Sequence, residues 1–494
     1  MWLTQLLERN RQCFPDRAAL VDEHRSVTWA EFHDRTVELA HGLADLGIER
    51  GDRVAVLSKD RIEVLESYFA LARLGALFVP LNHSLAVPEV ADIMERVGAV
   101  AVLGESDLLD RHPTLPPSVK VRMALDKPAF EALGTIASER ELPDITDTDP
   151  IAVLHTSATT GRAKGVTVDS GSFRAIALGW LVMARPADDI VMVNCCPLYH
   201  GSMVVSLTYL AAGATVVLMP GFTPQRALTA VERHRATHMW LVPQMLRFLL
   251  QAKGSRTTDL SSLREILYGA APMPLDVYAE AVERLGCGFR QVYGMTEVGG
   301  PFVTLGPDEH PAPGDVTARI PCGRVVPGMS ARTVDGSGAE LPRGEIGEVV
   351  VRGPGVMQGY WNDPEATREI TLDGWIRTGD LGFVDEAGRI HLVDRTKDVI
   401  IRAGQNVYPS EIERALLTHP AVRDAAVVGM PDEDYGEVPL AYVVTEEDGD
   451  TDAARLLAHV KELLAPYKRP RRIEFIERVP RNPAGKIVKK LLRV

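Results

Sequence analysis

Three short segments carry residues whose types and spacing can do chemistry. The first, HTSATTGRAKG at 155–165, crowds hydroxyls and small residues ahead of a lysine. Hydroxyls and backbone N–H groups can surround phosphate oxygens, while Lys164 supplies positive charge. The segment follows the apolar run IAVLH, so it opens at the C-terminal end of a predicted strand, where α/β folds bind ligands. It is not the GxxxxGK[ST] loop of the common NTPases. The second segment, YGMTEVGG at 293–300, joins an aromatic ring, a hydroxyl and a carboxylate after the predicted strand FRQV. A carboxylate beside a polyphosphate loop is the usual protein contribution to a Mg2+ site. The third, GWIRTGDLG at 374–382, sets Asp380 in a glycine turn, where a carboxylate can accept both hydroxyls of a ribose. Each segment alone is more often a plain turn or a capped loop than a site.

The elements that must position these segments alternate. The stretch 28–47 places apolar residues at three- and four-residue spacing and ends in glycine, which predicts an amphipathic helix. DRVAVLS then predicts a strand, IEVLESYFALARLG a helix and ALFVPLN a further strand. The same alternation recurs between 188 and 267, through DIVMVNCCP, MVVSLTYLAAG, ATVVLMP and THMWLVP. Alternation of this kind predicts parallel α/β sheets. Two similar α/β subdomains are therefore expected over about 1–294. From 295 to 393 glycine and proline become frequent, and GEVVVRG and GRIHLVDR predict antiparallel strands of a β-rich part. The charged segment DRTKD, 394–398, separates this large N-terminal domain, 1–393, from a small α+β domain at 399–494.

Composition narrows the class. A length of 494 residues needs more than one core, and 46% apolar with 24% charged residues is ordinary for a globular chain. A net charge of −13 argues against nucleic acid as a main partner. The tail is an exception: Lys468, Arg469, Arg471, Arg472, Arg478, Arg481 and four further cations lie between 468 and 493. That run is either a solvated basic face or a site for an anionic ligand. Five cysteines, with no metal-ligand spacing, are expected to be reduced, and Cys195 and Cys196 to end a buried strand. No apolar run approaches the ~18 residues of a membrane span, and the N-terminus has no signal-peptide pattern, so a cytoplasmic protein is expected.

Taken in order, HTSATTGRAKG, PLYH, GAAPMP, YGMTE, GYWNDPEAT, WIRTGDLG, DRTKDVIIRAGQNVYPSEIE and PRNPAGK resemble the adenylate-forming superfamily, which includes acyl- and aryl-CoA synthetases. The resemblance covers essentially the whole chain. It implies an acid–thiol ligase that uses ATP and Mg2+ to make an acyl-AMP and then transfers the acyl group to CoA. By resemblance, Thr156, Ser157, Ala158, Thr159, Thr160, Gly161 and Lys164 form the loop around the β- and γ-phosphates. Glu297 with Thr156 holds Mg2+, and Thr296 touches the α-phosphate. Gly269, Ala270 and Ala271 line one face of the adenine; Tyr293, with Gly294 and Met295 after it, covers the other. Asp380 and Arg395 hold the ribose. Lys486 bridges the acid and the α-phosphate during adenylation. Lys397 is the hinge of a mobile C-terminal domain, and Gly404 with Gln405 borders a tunnel for CoA after rotation.

The acyl pocket falls, by the same resemblance, on His200, Gly201, Met203, Val204, Gln244 and Gly269. No acidic residue follows Tyr199 and His200 closely, which disfavours an α-amino acid, and Met203, Val204, Met245 and Met273 suggest an apolar pocket. A hydrophobic aryl, alicyclic or fatty acid is expected, in a monomer or homodimer. An acyl carrier protein is the alternative acceptor, as is an enzyme that stops at acyl-AMP. A nucleotide- or acid-binding sensor is the alternative of another class, favoured only by Ala158, where the family's loop carries glycine.

Overall fold

The computed structural model describes residues 1–492 apart from 134–140, 157–162, 188, 200, 316–318, 447–448 and 482–486. The chain folds as two compact units. Of the described residues, one holds those up to Ser330 together with Arg352–Ile376; the other holds Ala331–Val351 and the chain from Arg377 onward.

The helix predicted at 28–47 spans Trp29–Asp45. Thr28 starts it with a reciprocal capping box: its hydroxyl accepts from the Glu31 N–H at 3.2 Å, and the Glu31 carboxylate accepts from the Thr28 N–H at 2.7 Å. The next helix, Ile62–Leu74, is almost wholly buried and stops at Gly75, whose φ of +74° suits glycine. The Ile62–Leu74 helix packs on the first of two large sheets, and the Trp29–Asp45 helix packs against that helix. This sheet has seven strands, with Arg53–Leu57, Leu77–Leu81, Ala101–Gly104 and Pro150–His155 among its parallel members.

The second sheet has nine strands. Its parallel centre runs Thr215–Leu218, Val191–Asn194, His238–Leu241, Glu265–Gly269 and Gly288–Met295. The two α/β subdomains are thus present, but their edges exchange partners in ways that chain order does not reveal. The N-terminal hairpin Ala18–Val21 and Ser26–Thr28 joins the second sheet, not the first. From the glycine-rich stretch, Gly300–Leu305 extends the second sheet, whereas Gly359–Tyr360 extends the first.

Gly347–Arg352, Trp375–Val384 and Ile390–Arg395, most of whose residues fall in the other unit, belong to a five-stranded sheet in which the last two pair antiparallel. The C-terminal part builds its own five-stranded sheet around Val422–Asp432 and Gly436–Thr445, with helices Pro409–Leu417 and Ala453–Leu463 covering the core. Residues 394–398 lie inside this unit. The Asp394 carboxylate accepts from the Ser410 N–H at 2.8 Å at the start of the Pro409–Leu417 helix, and Thr396–Asp398 forms one 3-10 turn. All five cysteines are free, and Cys195 and Cys196 are buried just after the Val191–Asn194 strand. Among the described residues no helix is long and apolar enough to cross a membrane.

Candidate active site

The parallel strands of the second sheet release their loops at one edge, and the residues expected to meet the adenine, the metal and the acyl group follow those strands. Gly269 ends its strand beside Val292, and a Cβ on it would sit 2.5 Å from the Val292 carbonyl. Only glycine fits that approach. Ala270 follows at φ +66°, a left-handed conformation that costs an alanine about 1–2 kcal/mol. With Ala271, it turns the chain away from the edge next to Tyr293, Gly294 and Met295 on the neighbouring strand.

That strand and Gly300–Leu305 form a pinched hairpin. Register shifts between Tyr293 and Gly294, and a Cβ on Gly294 would lie 2.3 Å from the Gly300 carbonyl. The pinch throws Thr296 and Glu297 into a 3-10 turn, closed by Gly299 at φ +63°. The Glu297 carbonyl accepts from the Met357 N–H at 2.9 Å, and its carboxylate accepts from the Tyr360 hydroxyl at 2.8 Å.

The phosphate loop is fastened at its base. The Thr156 N–H donates to the Lys164 carbonyl at 3.0 Å, and the Lys164 N–H donates to the Thr156 hydroxyl at 3.2 Å. The Lys164 ammonium lies 4.8 Å from the centre of the Tyr360 ring. His155 precedes the loop; burial, then the charge of Arg96, pushes its pKa down to about 4, so the ring is neutral. Ser157, Ala158, Thr159, Thr160 and Gly161 lie outside the described residues, as do His200 and Lys486.

At the same edge, the acyl-pocket candidates divide. Gly201 begins the Ser202–Ala211 helix with open space at its Cβ position. Met203 and Val204 are buried in that helix, and Val204 packs where a side chain on Gly300 would go. Gln244 is half-buried in the first turn of the Pro243–Gln251 helix. Met273 is buried in the core beneath the sheet, and Met245 is partly buried against it. Before His200, the Leu198 N–H donates to the buried Asp60 carboxylate at 2.9 Å, and Tyr199 meets His83 edge-on at 5.4 Å. Burial pushes the Asp60 carboxyl up to about 8.

The remaining candidates belong to the other unit. Asp380 and Arg395 are paired residues on adjacent strands, with Arg395 Nε 3.2 Å from Asp380 Oδ1. Thr378 and Glu348 brace the turn before Asp380 through bonds to Asp380 N at 3.1 Å and Gly379 N at 3.2 Å. Lys397 is exposed in its 3-10 turn. Ala403 and Gly404 link Ile400–Arg402 to Gln405–Val407 at φ +49° and +79°, the positive values a two-residue hairpin turn requires. In the basic tail, Lys489 pairs with Glu413 at 2.8 Å, Lys468 with Glu411 at 2.8 Å and Arg481 with Asp424 at 2.9 Å. These cations serve the unit's own packing.

Sequence reasoning assigned no role to two residues at this edge, Asp60 and Tyr360. Tyr360 sits in the GYWNDPEAT motif and Asp60 lies just beyond the DRVAVLS strand, but each acts through a partner far along the chain.

A hydroxyl-rich loop on the seven-stranded sheet, with a carboxylate turn and a strained small-residue turn on the nine-stranded sheet, fits a nucleotide-binding class of enzyme. The chain belongs to the AMP-binding enzyme family, in its acyl-CoA synthetase branch: it matches the AMP-binding enzyme model over residues 7–361 and the AMP-binding enzyme C-terminal domain over 411–486. It is similar to the fatty acid–[acyl-carrier-protein] ligase ScoC of Streptomyces coeruleorubidus, 36% identical over 99% of this chain and 96% of the relative. The feruloyl-CoA synthase of an Amycolatopsis species is 37% identical over 97% and 96%. ATP-bound MatB from Rhodopseudomonas palustris superposes with a TM-score of 0.91 at 31% identity, over 99% of this chain and 98% of that one.

Proposed function

We infer that the chain activates a hydrophobic carboxylic acid with ATP and transfers the acyl group to the thiol of CoA. The observation that carries this reading is the fastening of Thr156 to Lys164 beside the Tyr360–Glu297 pair. That arrangement links the base of the loop and its cation, on one sheet, to a carboxylate on the other through Tyr360. In the first step a carboxylate oxygen attacks the α-phosphorus and pyrophosphate leaves, giving acyl-AMP. In the second, the CoA sulfur attacks the acyl carbon, AMP leaves and the thiol proton passes to solvent.

Two anions meet in the first step, so positive charge must offset them. Lys164 faces the leaving pyrophosphate, and Lys486 serves the reacting carboxylate. The site residues fit Mg2+. Tyr360 holds one oxygen of Glu297, no hydrogen bond to the other is made among the described residues, and the Thr156 hydroxyl is a second hard donor. Among the described residues no cluster of three or more His, Cys, Asp or Glu could hold a metal. Remaining ligands would come from phosphates and water, as Mg2+ prefers. When bound, Mg2+ would neutralise charge on the leaving pyrophosphate. Ser157, Thr159, Thr160 and Gly161 would surround the phosphates, Ala270 and Tyr293 the adenine, and Asp380 with Arg395 the ribose. Lys397 would be the hinge that brings Gly404 and Gln405 into use for CoA. Free thiols in all five cysteines support a reducing, cytoplasmic setting.

The similarity to ScoC favours a second reading, in which the acceptor is an acyl carrier protein. One assay separates the two. A panel of aryl, alicyclic and fatty acids is supplied with ATP and Mg2+, pyrophosphate release is followed, and CoA or a phosphopantetheinylated carrier is added. Acyl-CoA detected by mass is the expected result. Transfer only to the carrier establishes the second reading, and no pyrophosphate with any acid overturns both.

A further inference from the structure

The geometry points to Tyr360 as a positioning residue that keeps the Lys164 ammonium and the Glu297 carboxylate apart while holding each in place for the metal–nucleotide. This inference rests on the reading of Glu297 as the metal carboxylate and Lys164 as the phosphate cation. One side chain touches both charges: its ring lies 4.8 Å from the Lys164 ammonium, and its hydroxyl donates to Glu297 Oε1 at 2.8 Å. Among the described residues Lys164 and Glu297 make no ion pair with each other.

The separation matters physically. An ammonium and a carboxylate side by side in a partly dry site attract each other strongly. A direct pair would cancel both charges, and an incoming nucleotide would have to break it. An aromatic face satisfies the ammonium without neutralising it. A neutral hydroxyl satisfies one carboxylate oxygen and leaves the negative charge available to a metal.

Tyr360 is well placed to do this, because its backbone is held from several sides. The Gly359–Tyr360 strand pairs with the Gly165–Asp169 strand directly after the phosphate loop, with Tyr360 opposite Val166. The Trp361 N–H donates to the Gly165 carbonyl at 2.7 Å, and the Tyr360 N–H donates to the Thr367 hydroxyl at 2.9 Å. The Met357 N–H holds the Glu297 carbonyl at 2.9 Å, so this one segment is tied to the bases of both functional turns.

The test uses the full chain and an ATP analogue that cannot be cleaved between its α- and β-phosphates. Its affinity is measured by calorimetry in EDTA and in Mg2+. Tyr360→Phe removes only the hydroxyl: affinity in EDTA stays near wild type, and the Mg2+-dependent gain falls about tenfold. Tyr360→Leu also removes the ring, and Lys164 then collapses onto Glu297. Affinity in EDTA falls about fivefold, and adding Glu297→Gln restores it. Glu297→Gln alone abolishes the Mg2+ gain. If Glu297→Gln abolishes that gain and Tyr360→Phe keeps it, the positioning role is overturned while the metal reading stands. Retention of the gain in Glu297→Gln overturns the metal reading and the inference built on it. Should Tyr360→Leu not fold, Tyr360→Phe decides by itself.

Discussion

Ala158 stands where the resemblance leads one to expect glycine, and Asp60 is a carboxylate where an apolar wall would be cheaper. If the loop needs a left-handed residue at 158, alanine there costs about 1–2 kcal/mol. That cost slows loop closure by about tenfold per 1.4 kcal/mol and removes none of the hydroxyls or Lys164. Ala158→Gly is therefore expected to leave the rate of pyrophosphate release unchanged or modestly higher. A severe loss would show that the methyl packs usefully. Asp60 offers a pH test. Its folded value of about 8 lies above the ordinary 3.8, because burial disfavours the charge and Glu105 adds repulsion. The folded state thus binds the proton more tightly than the unfolded chain. The group carries no penalty below about pH 4, and stability falls as pH rises until about pH 8. Asp60→Asn keeps an acceptor for the Leu198 N–H. Its denaturation midpoint should exceed wild type most at pH 8.5, with the gap shrinking towards pH 5; an equal midpoint at pH 8.5 would refute the assignment.

The turn at Ala403 and Gly404 shows what a single hairpin can report. Gly404 has φ +79° and open space around its Cβ position, so Gly404→Ala meets strain without a clash. The backbone cost is about 1–2 kcal/mol of stability. If this turn borders the CoA tunnel, the methyl also obstructs the second step. The expected outcome is near-normal acid-dependent pyrophosphate release with acyl-CoA formation slowed more than tenfold. Equal slowing of both steps would remove the turn from the tunnel. The hairpin at 293–300 works differently, because there the absence of side chains at Gly294 and Gly300 lets two strands close and aim Glu297.

A division of labour between the two compact units makes a kinetic prediction that no single element could. Lys486, in the basic tail, is proposed to act only while the acid and the α-phosphate react. Lys486→Ala should abolish adenylation yet leave transfer from preformed acyl-AMP to CoA within about threefold of wild type, since losing one transition-state contact affects only its own step. Parallel loss of both half-reactions, measured by supplying synthetic acyl-AMP, would sink the division.

Much of this protein could be read from local sequence, because local rules govern it. The helix at Trp29–Asp45 follows from its periodicity and the Thr28–Glu31 capping box, and the Gly75 stop from left-handed geometry that glycine tolerates. The ordered motifs singled out Thr156, Lys164, Glu297, Asp380 and Arg395 as candidates. Other features depended on contacts between distant segments. The chain does not declare that Ala18–Thr28 joins the second sheet, or that Gly359–Tyr360 returns to the first, since edge pairing depends on which strand lies exposed after both sheets form. Met245 and Met273 have the same apolar character as Met203, and only packing makes them core. Tyr360 carries no local mark of its role. Residue type and spacing determined what chemistry this chain holds, because hydroxyls, carboxylates and lysines act by what they are. Tertiary structure alone decided that a tyrosine stands between Lys164 and Glu297, because that placement comes from strand pairing and not from the spacing of residues along the chain.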